Sequence, residues 1–208
     1  IPPMDFIPIT EENGMVISLG YWIMEQAASQ LASWKKMYAS KIKMAINVSS
    51  KQLMEENFTD KLIQILDNYQ IPKQDFEIEI TENIQLETNS MIHETLAKLS
   101  SYGISVAIDD FGTGYSSLYY IRELPVNRIK IAKELIDHID HDIYSKSIVQ
   151  MVISVAKVNN IKVIAEGVET KEQWECLKEM ECNEIQGYLF SKPLVPNELE
   201  KNWFRNNE

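Results

Sequence analysis

Apolar and polar residues alternate along six short stretches of the chain, and longer stretches with helical spacing lie between them. The alternation predicts strands at residues 42–48, 75–81, 104–110, 127–131, 161–167 and 184–190. Helical spacing predicts helices near residues 16–37, 50–68, 88–102, 116–122, 145–159 and 171–180. Strands that alternate with helices are typical of parallel strands joined by crossover helices. The pattern therefore predicts an α/β fold.

Each predicted strand has an apolar face and a second face that ends in a polar residue, because neighbouring strand residues point to opposite faces. The polar residues at the strand ends are Asn47, Glu79, Asp109 with Asp110, Lys130, Glu166 and Gln186. In a parallel (β/α) barrel the carboxyl ends of all strands converge on one mouth, so we expect these residues to line one pocket. An open doubly wound sheet is the alternative, although it would bring only two or three of these strands to one crevice.

Two adjacent carboxylates, Asp109 and Asp110, stand in the stretch "AIDDFGTGYSS" (107–117). They repel each other, and a divalent cation is the usual source of compensating charge; a solvated turn is the alternative interpretation. Together with the other acidic strand ends they form an all-oxygen ligand set that favours Mg²⁺ or Mn²⁺ over zinc or copper. Asp109 could bridge two such ions, as in phosphoryl transfer, while Asp110 reaches only the nearer ion. Lys130 could orient and help deprotonate the attacking water, or stabilise charge at phosphorus.

Composition narrows the choice of partners. The 208 residues are 45% apolar and 25% charged, which fits one globular domain. A net charge of −11 argues against binding to DNA, RNA or an anionic membrane surface. Two cysteines, Cys176 and Cys182, form no zinc motif or disulfide framework, so a reducing cytoplasm is expected. The sequence shows no signal peptide or long apolar run, and it leaves open a larger, membrane-anchored parent protein.

A series of motifs in this order resembles the signatures of EAL domains, the cyclic di-GMP phosphodiesterases. The motifs are "NVSSKQL" (47–53), "EITE" (79–82), "DDFGTGYSSL" (109–118), "LPVNRIKI" (124–131), "VIAEGVET" (163–170) and "QGYLFSKP" (186–193). The resemblance runs from Phe6 almost to the carboxyl terminus. It implies a modified TIM (β/α)8 barrel that hydrolyses cyclic di-GMP to linear pGpG with two divalent cations, Mg²⁺ or Mn²⁺.

The resemblance also implies roles for individual residues. The implied metal ligands are Asn47, Glu79, Asp109, Asp110 and Glu166, and the implied catalytic groups are Lys130 as the water-activating base, Glu166 and Asp109. Gln186 would support the site, and the segment through Pro193 would help wall the guanine pocket. Glu82 and Glu169 resemble the family's carboxylates that support the metal ligands without binding the metal. Glu82 would hold the loop "DFGTGYSS" in place. The loop and helix at 111–122 resemble a dimer-forming element, which implies a homodimer.

Four departures and alternatives remain at this point. The Glu-Ala-Leu signature and the family's first two strands do not occur in these 208 residues, so we expect a single domain over 1–208 that is incomplete at its amino terminus. Ala132 stands where the family usually has Asp, which should weaken local hydrogen bonding more than chemistry. The competing functions are an EAL-like domain that binds the ligand or scaffolds a partner without turnover, and another Mg²⁺-dependent barrel enzyme. His138 and His141 in "IDHIDHD" (136–142) favour a solvated helix start over a transition-metal site.

Overall fold

The computed structural model of the protein describes residues 1–38, 42–82, 90–113 and 121–204. The chain divides into two compact units, Ile1–Arg128 and Ile129–Glu208. Residues 83–89 and 114–120, which include most of the predicted helix 116–122 and of the predicted dimer-forming element, lie outside the described residues.

The described residues of the first unit form three parallel strands. They are β1 (Met44–Asn47), β2 (Phe76–Thr81) and β3 (Ser105–Phe111), with β2 between the other two. The helices of this unit are α1 (Pro3–Asn13), α2 (Met15–Tyr38), α3 (Ser50–Leu53), α4 (Phe58–Asn68) and α5 (Ser90–Ser101), and a 3₁₀ turn covers Lys73–Asp75. Asn47 is in register with Glu79, and Thr81 with Asp109, so the polar ends of the three strands lie side by side.

The second unit continues the alternation of strands and helices. Its strands are β4, which begins at the last residue of the first unit (Arg128–Ile131), β5 (Lys162–Ala165) and β6 (Glu184–Ile185), and β5 lies between β4 and β6. The helices are α6 (Lys133–Ile136), α7 (Ile143–Val158), α8 (Lys171–Glu179) and α9 (Pro196–Leu199), followed by a π-helical turn at Glu200–Phe204. β5 and β6 run parallel, as the sequence pattern predicts.

The predicted apolar faces form the core of each unit. In the first unit Ile78 and Ile80 of β2 are fully buried, as are Met24, Ala28 and Leu31, which repeat at helical spacing along α2. In the second unit the side chains of Ile129, Ile131 and Val163 from the strands are buried, as is Leu177 of α8. Burial of one strand face under helices leaves the other face to carry the polar residues.

Several element boundaries differ from the sequence prediction. The predicted helix 50–68 is two helices, separated by a turn at 54–57. Helix α1 was not predicted from "IPPMDFIPIT", although Pro3 stands in its first turn, where the missing N–H costs nothing. The predicted strand 184–190 ends after two residues, because the chain turns away beyond Ile185. Among the described residues, no helix is both long enough and apolar enough to cross a membrane.

Candidate metal and phosphodiesterase site

The carboxyl ends of β1 and β2 bring an amide and a carboxylate together. Asn47 Nδ2 donates a long hydrogen bond of 3.4 Å to Glu79 Oε2. The backbone holds the two strands in register just beyond this pair, because the Val48 N–H donates to the Glu79 carbonyl at 2.9 Å. Both side chains offer oxygen atoms, which are the ligands that hard divalent cations prefer.

Asp109 and Asp110 present their carboxylates close to each other despite being neighbours on a strand. Strict alternation would send the two side chains to opposite faces. Asp110, however, has a φ of +54°, in the left-handed region, and one oxygen of each carboxylate lies within 4.8 Å of the other. Asp109 is buried, with 9% of its surface exposed, while Asp110 is exposed. The turn in the backbone thus gathers two negative charges at the end of β3.

Glu82 connects the end of β2 to the glycine-rich turn after β3. Its backbone N–H donates to the Asp109 carbonyl at 3.1 Å, and its carboxylate Oε2 accepts from the Gly112 N–H at 2.8 Å. Thr113 Oγ1 donates to the Asp110 carbonyl at 3.0 Å. Glu82 is only 5% exposed. Its two hydrogen bonds connect the start of the "DFGTGYSS" loop, at Gly112, to the acidic pair.

In the second unit a buried lysine and a glutamate form an ion pair at the strand ends. Lys130 Nζ of β4 lies 2.9 Å from Glu166 Oε1, immediately after β5, and their side chains are 6% and 17% exposed. The Glu166 N–H donates to the Ile131 carbonyl at 3.1 Å, which fixes the glutamate backbone beside β4. A low-dielectric setting strengthens the attraction between the two charges.

Gln186 and the segment after it pack against the backbone that follows Glu166. The Gln186 N–H donates to the Ala165 carbonyl at 2.8 Å, and the Gln186 carbonyl accepts from the Val168 N–H at 3.1 Å. A Cβ on Gly187 would lie 2.1 Å from the Val168 carbonyl oxygen, so only glycine allows this approach. The Gln186 side chain is exposed, and so is Pro193 further along the segment.

Glu169 lies in an ion pair at the surface. It contacts Lys133 Nζ, which also lies 3.3 Å from Asp137 Oδ1. The hydrogen bond that Lys133 Nζ donates to the Glu169 carboxylate, more than any other contact, raises the pKa of Lys133. The Glu169 N–H donates to Gln173 Oε1 at 2.7 Å, and the same Gln173 forms the capping box with Thr170 that begins α8.

Comparison with known proteins identifies the family. The family model described as the EAL domain matches residues 1–193. This chain belongs to the EAL domain family. It is 32% identical over 205 residues to the cyclic di-GMP phosphodiesterase PA2567 of Pseudomonas aeruginosa, a match that covers 99% of this chain and 35% of that protein. The chain spans only about a quarter to a third of the length of the curated relatives it matches.

Solved EAL structures have the same fold. A structure of the PaMucR phosphodiesterase in complex with c-di-GMP has a TM-score of 0.88 and 32% identity, over 96% of this chain and 81% of that chain. A manganese and c-di-GMP complex of Klebsiella pneumoniae BlrP1 has a TM-score of 0.76 and 29% identity, over 85% of this chain and 45% of that chain. The α/β, TIM-barrel-like fold predicted from the sequence is therefore confirmed.

Sequence reasoning missed a buried ion pair in this EAL domain. Arg128 Nη1 lies 2.5 Å from Glu77 Oε2, and the side chains are 12% and 5% exposed. Each residue stands two positions before a predicted site residue, Glu79 or Lys130, on the same strand face. This spacing of two residues is the sequence feature that could have predicted the pair. The residue before the arginine, Asn127, accepts from the Val106 N–H through Oδ1 at 3.0 Å and fixes the start of β4.

The EAL domain also has a cavity of about 700 Å³ in its first unit, beside Asn47. Phe6 of α1 and Ile23 of α2 line it together with the end of β1 and with Thr81 at the end of β2. The structure thus places Asn47, Glu79, Glu82, Asp109 and Asp110 at neighbouring strand ends of the first unit. In the second unit it places Lys130 against Glu166, with Gln186 bonded to the backbone next to them. The convergence of all six strand ends on one pocket stays a prediction.

Proposed function

We propose that this EAL domain hydrolyses cyclic di-GMP to linear pGpG and so acts in second-messenger signalling. The observation that carries the proposal is the acidic pair at the end of β3, where a left-handed Asp110 holds its carboxylate within 4.8 Å of that of Asp109. A fold gains nothing by gathering repelling charges unless a cation neutralises them. The choice of cyclic di-GMP as the substrate is supported by a relative named as a cyclic di-GMP phosphodiesterase and by a similar phosphodiesterase structure in complex with c-di-GMP.

The residues at the strand ends fit two divalent cations, Mg²⁺ or Mn²⁺. The proposed ligands are Asn47, Glu79, Asp109, Asp110 and Glu166, which offer carboxylate and amide oxygens and no sulfur or imidazole. The buried Asp109 is the proposed shared ligand, since it stands between the end of β2 and its neighbour Asp110. Such a pair of cations, when bound, activates the attacking water and stabilises negative charge on the phosphate oxygens.

Lys130 and Glu166 are the proposed proton-handling and positioning groups. The Lys130 ammonium, held by Glu166 at 2.9 Å, orients the attacking water, and its positive charge helps that water to lose its proton to the solvent. The water oxygen then bonds to phosphorus, the bond from phosphorus to the 3′ oxygen breaks, and that oxygen takes up a proton from the solvent. The product is a linear dinucleotide with a 5′ phosphate.

Four further residues support this site in the proposal. Glu82 fixes the turn that carries Asp110, through its bond to Gly112. Glu169 holds Lys133, which follows β4, and Gln186 and Pro193 flank the pocket for a guanine base. We also propose that the domain works in the cytoplasm as a homodimer through residues 111–122, without DNA, RNA or direct membrane contact, and that it is one domain within a longer protein.

The test is to incubate the protein with cyclic di-GMP and Mn²⁺ and to separate pGpG by chromatography. Asp109→Asn should lower the rate at least about 100-fold, because it removes a charge that both cations need. Asp67→Asn on α4, whose side chain is 62% exposed, is the matched control and should retain the rate. If the wild-type protein binds cyclic di-GMP but forms no pGpG, the proposal of hydrolysis is refuted, and the result favours a domain that binds the ligand without turnover.

A further inference from the structure

His138 and His141 lie together in the turn between α6 and α7, and neither takes part in the proposed hydrolysis. They are two of only three histidines in the chain. Their ring centroids are 5.3 Å apart and their ring planes are tilted by 60°. Both side chains are exposed, His141 to 67%, so both rings are open to a solute from water.

Hydrogen bonds hold the backbone of this turn, which fixes the positions from which the two side chains project. The His138 carbonyl accepts from the N–H groups of His141, at 3.2 Å, and Asp142, at 2.8 Å. Gln173 of α8 is 5% exposed, and its Nε2 donates to the Ile136 carbonyl at 3.3 Å. The turn is therefore held by its own backbone hydrogen bonds and by one contact with α8 before any ligand arrives.

Asp140 orients the His141 ring. Its Oδ1 lies 2.7 Å from His141 Nδ1. A carboxylate can only accept, so the contact keeps the proton on Nδ1 and leaves the lone pair on Nε2. Metal-binding histidines commonly have this arrangement, in which a carboxylate fixes one ring nitrogen and the other binds the ion. Asp140 therefore acts as the partner of a ligand and not as a ligand.

The distance between the rings fits a tetrahedral ion. With metal–nitrogen bonds of about 2.05 Å, two imidazoles at a tetrahedral angle have centroids about 5.2 Å apart. We propose that His138 and His141 bind a borderline divalent cation such as Zn²⁺ or Ni²⁺, with water in the remaining positions. Imidazole selects such ions, whereas the oxygen ligands at the strand ends select Mg²⁺ or Mn²⁺. The neighbouring carboxylates of Asp137, Asp140 and Asp142 add a negative field that attracts the cation.

The test is a Ni²⁺ titration of the 208-residue chain in the presence of excess Mg²⁺, followed by NMR of the histidine ring protons. Paramagnetic Ni²⁺ should broaden the His138 and His141 signals first and leave those of His93, on α5, sharp. His138→Asn and His141→Asn should each weaken Ni²⁺ affinity at least tenfold, and Asp140→Asn should weaken it about tenfold or more.

His93→Asn is the matched control, since it removes the third histidine from a different helix. It should keep the affinity within twofold of the wild-type value. All these variants alter exposed or half-exposed side chains, and an unchanged circular dichroism spectrum will verify that they fold. The proposal is overturned if His138→Asn and His141→Asn retain wild-type affinity, or if the His93 signals broaden as early as the other two.

Discussion

Removing one partner of the buried ion pair between Glu77 and Arg128 should strongly destabilise the first unit. The two side chains are 5% and 12% exposed, and Glu77 stands on β2 two residues before Glu79. With Glu77→Gln the carboxylate charge disappears while the shape of the side chain is kept. Arg128 then stays in a poorly hydrated position with a charge that Glu77 no longer compensates.

The magnitude follows from the geometry of the pair. With a contact of 2.5 Å between Nη1 and Oε2, the charge centres lie about 4 Å apart, and an effective dielectric constant near 20 gives an attraction of about 4 kcal/mol. Removing one partner of a buried pair costs about 3–5 kcal/mol, because the remaining charge keeps its desolvation penalty. Since domains are stable by only about 5–15 kcal/mol, this loss is large.

Urea unfolding, followed by circular dichroism and tryptophan fluorescence, measures the loss. At a slope of about 2–3 kcal/mol per molar urea, a loss of about 3–5 kcal/mol means that Glu77→Gln should lower the midpoint by about 1–2.5 M. The double variant Glu77→Leu with Arg128→Met should recover most of this loss, because a pair of apolar side chains needs no compensating charge.

Asp60→Asn is the matched control. Asp60 pairs with Lys98 at 2.7 Å, but the two side chains are 57% and 43% exposed, so the control should cost less than about 1 kcal/mol. If Glu77→Gln costs no more than Asp60→Asn, the Glu77 pair is screened by water and the argument from its burial is refuted.

Three further predictions concern the site itself. Lys130→Ala should lower the rate of cyclic di-GMP hydrolysis much more than it lowers ligand affinity, measured by single-turnover kinetics and calorimetry. Gly187→Ala should cost about 3 kcal/mol in urea unfolding, because a Cβ would lie 2.1 Å from the Val168 carbonyl oxygen and backbone cannot move aside. Asp110→Gly should stabilise the metal-free chain by about 1 kcal/mol, since glycine adopts the left-handed φ without strain, and should remove stabilisation by added Mn²⁺.

Each of these three predictions has a control variant or a result that would contradict it. Equal losses of rate and affinity in Lys130→Ala would contradict a role in water activation. In Gly103→Ala the new Cβ has open space, so the only loss of stability comes from the φ of +81°. If Gly187→Ala lowers the free energy of unfolding no more than Gly103→Ala does, the steric argument is disproved. Gln70→Gly relieves the same kind of left-handed strain, at φ +56°, with no metal ligand lost, and should keep the response to Mn²⁺.

The strands and their polar ends could be predicted because a single rule, alternation, governs both. Burial of Ile78 and Ile80 forces Glu77 and Glu79 to the other face, and the same rule placed Lys130 opposite Ile131. The rule says nothing about where pairing stops. β6 ends at Ile185, since the chain beyond it bonds to the backbone around Val168 instead of extending the strand.

Helix boundaries were harder to predict because caps and breaks depend on single residues. The apolar spacing continues from Ser50 to Asn68, yet a turn at 54–57 separates α3 from α4. The prolines near the amino terminus argue against a helix, but Pro3 lies in the first turn of α1, where proline fits. Periodicity predicted that a helical segment lay at 50–68, and only the structure showed its division.

Asp110 shows why the geometry of the acidic pair could not be read from the sequence. Alternation predicts that Asp109 and Asp110 point apart, which would minimise their repulsion. The left-handed φ of Asp110 reverses that outcome, although such a conformation costs a residue with a side chain about 1 kcal/mol or more. The chain thus accepts backbone strain and charge repulsion at the same residue. Local preferences oppose both features, and a cation that binds the two carboxylates offsets both, so the metal proposed for this site accounts for the geometry as well as the chemistry.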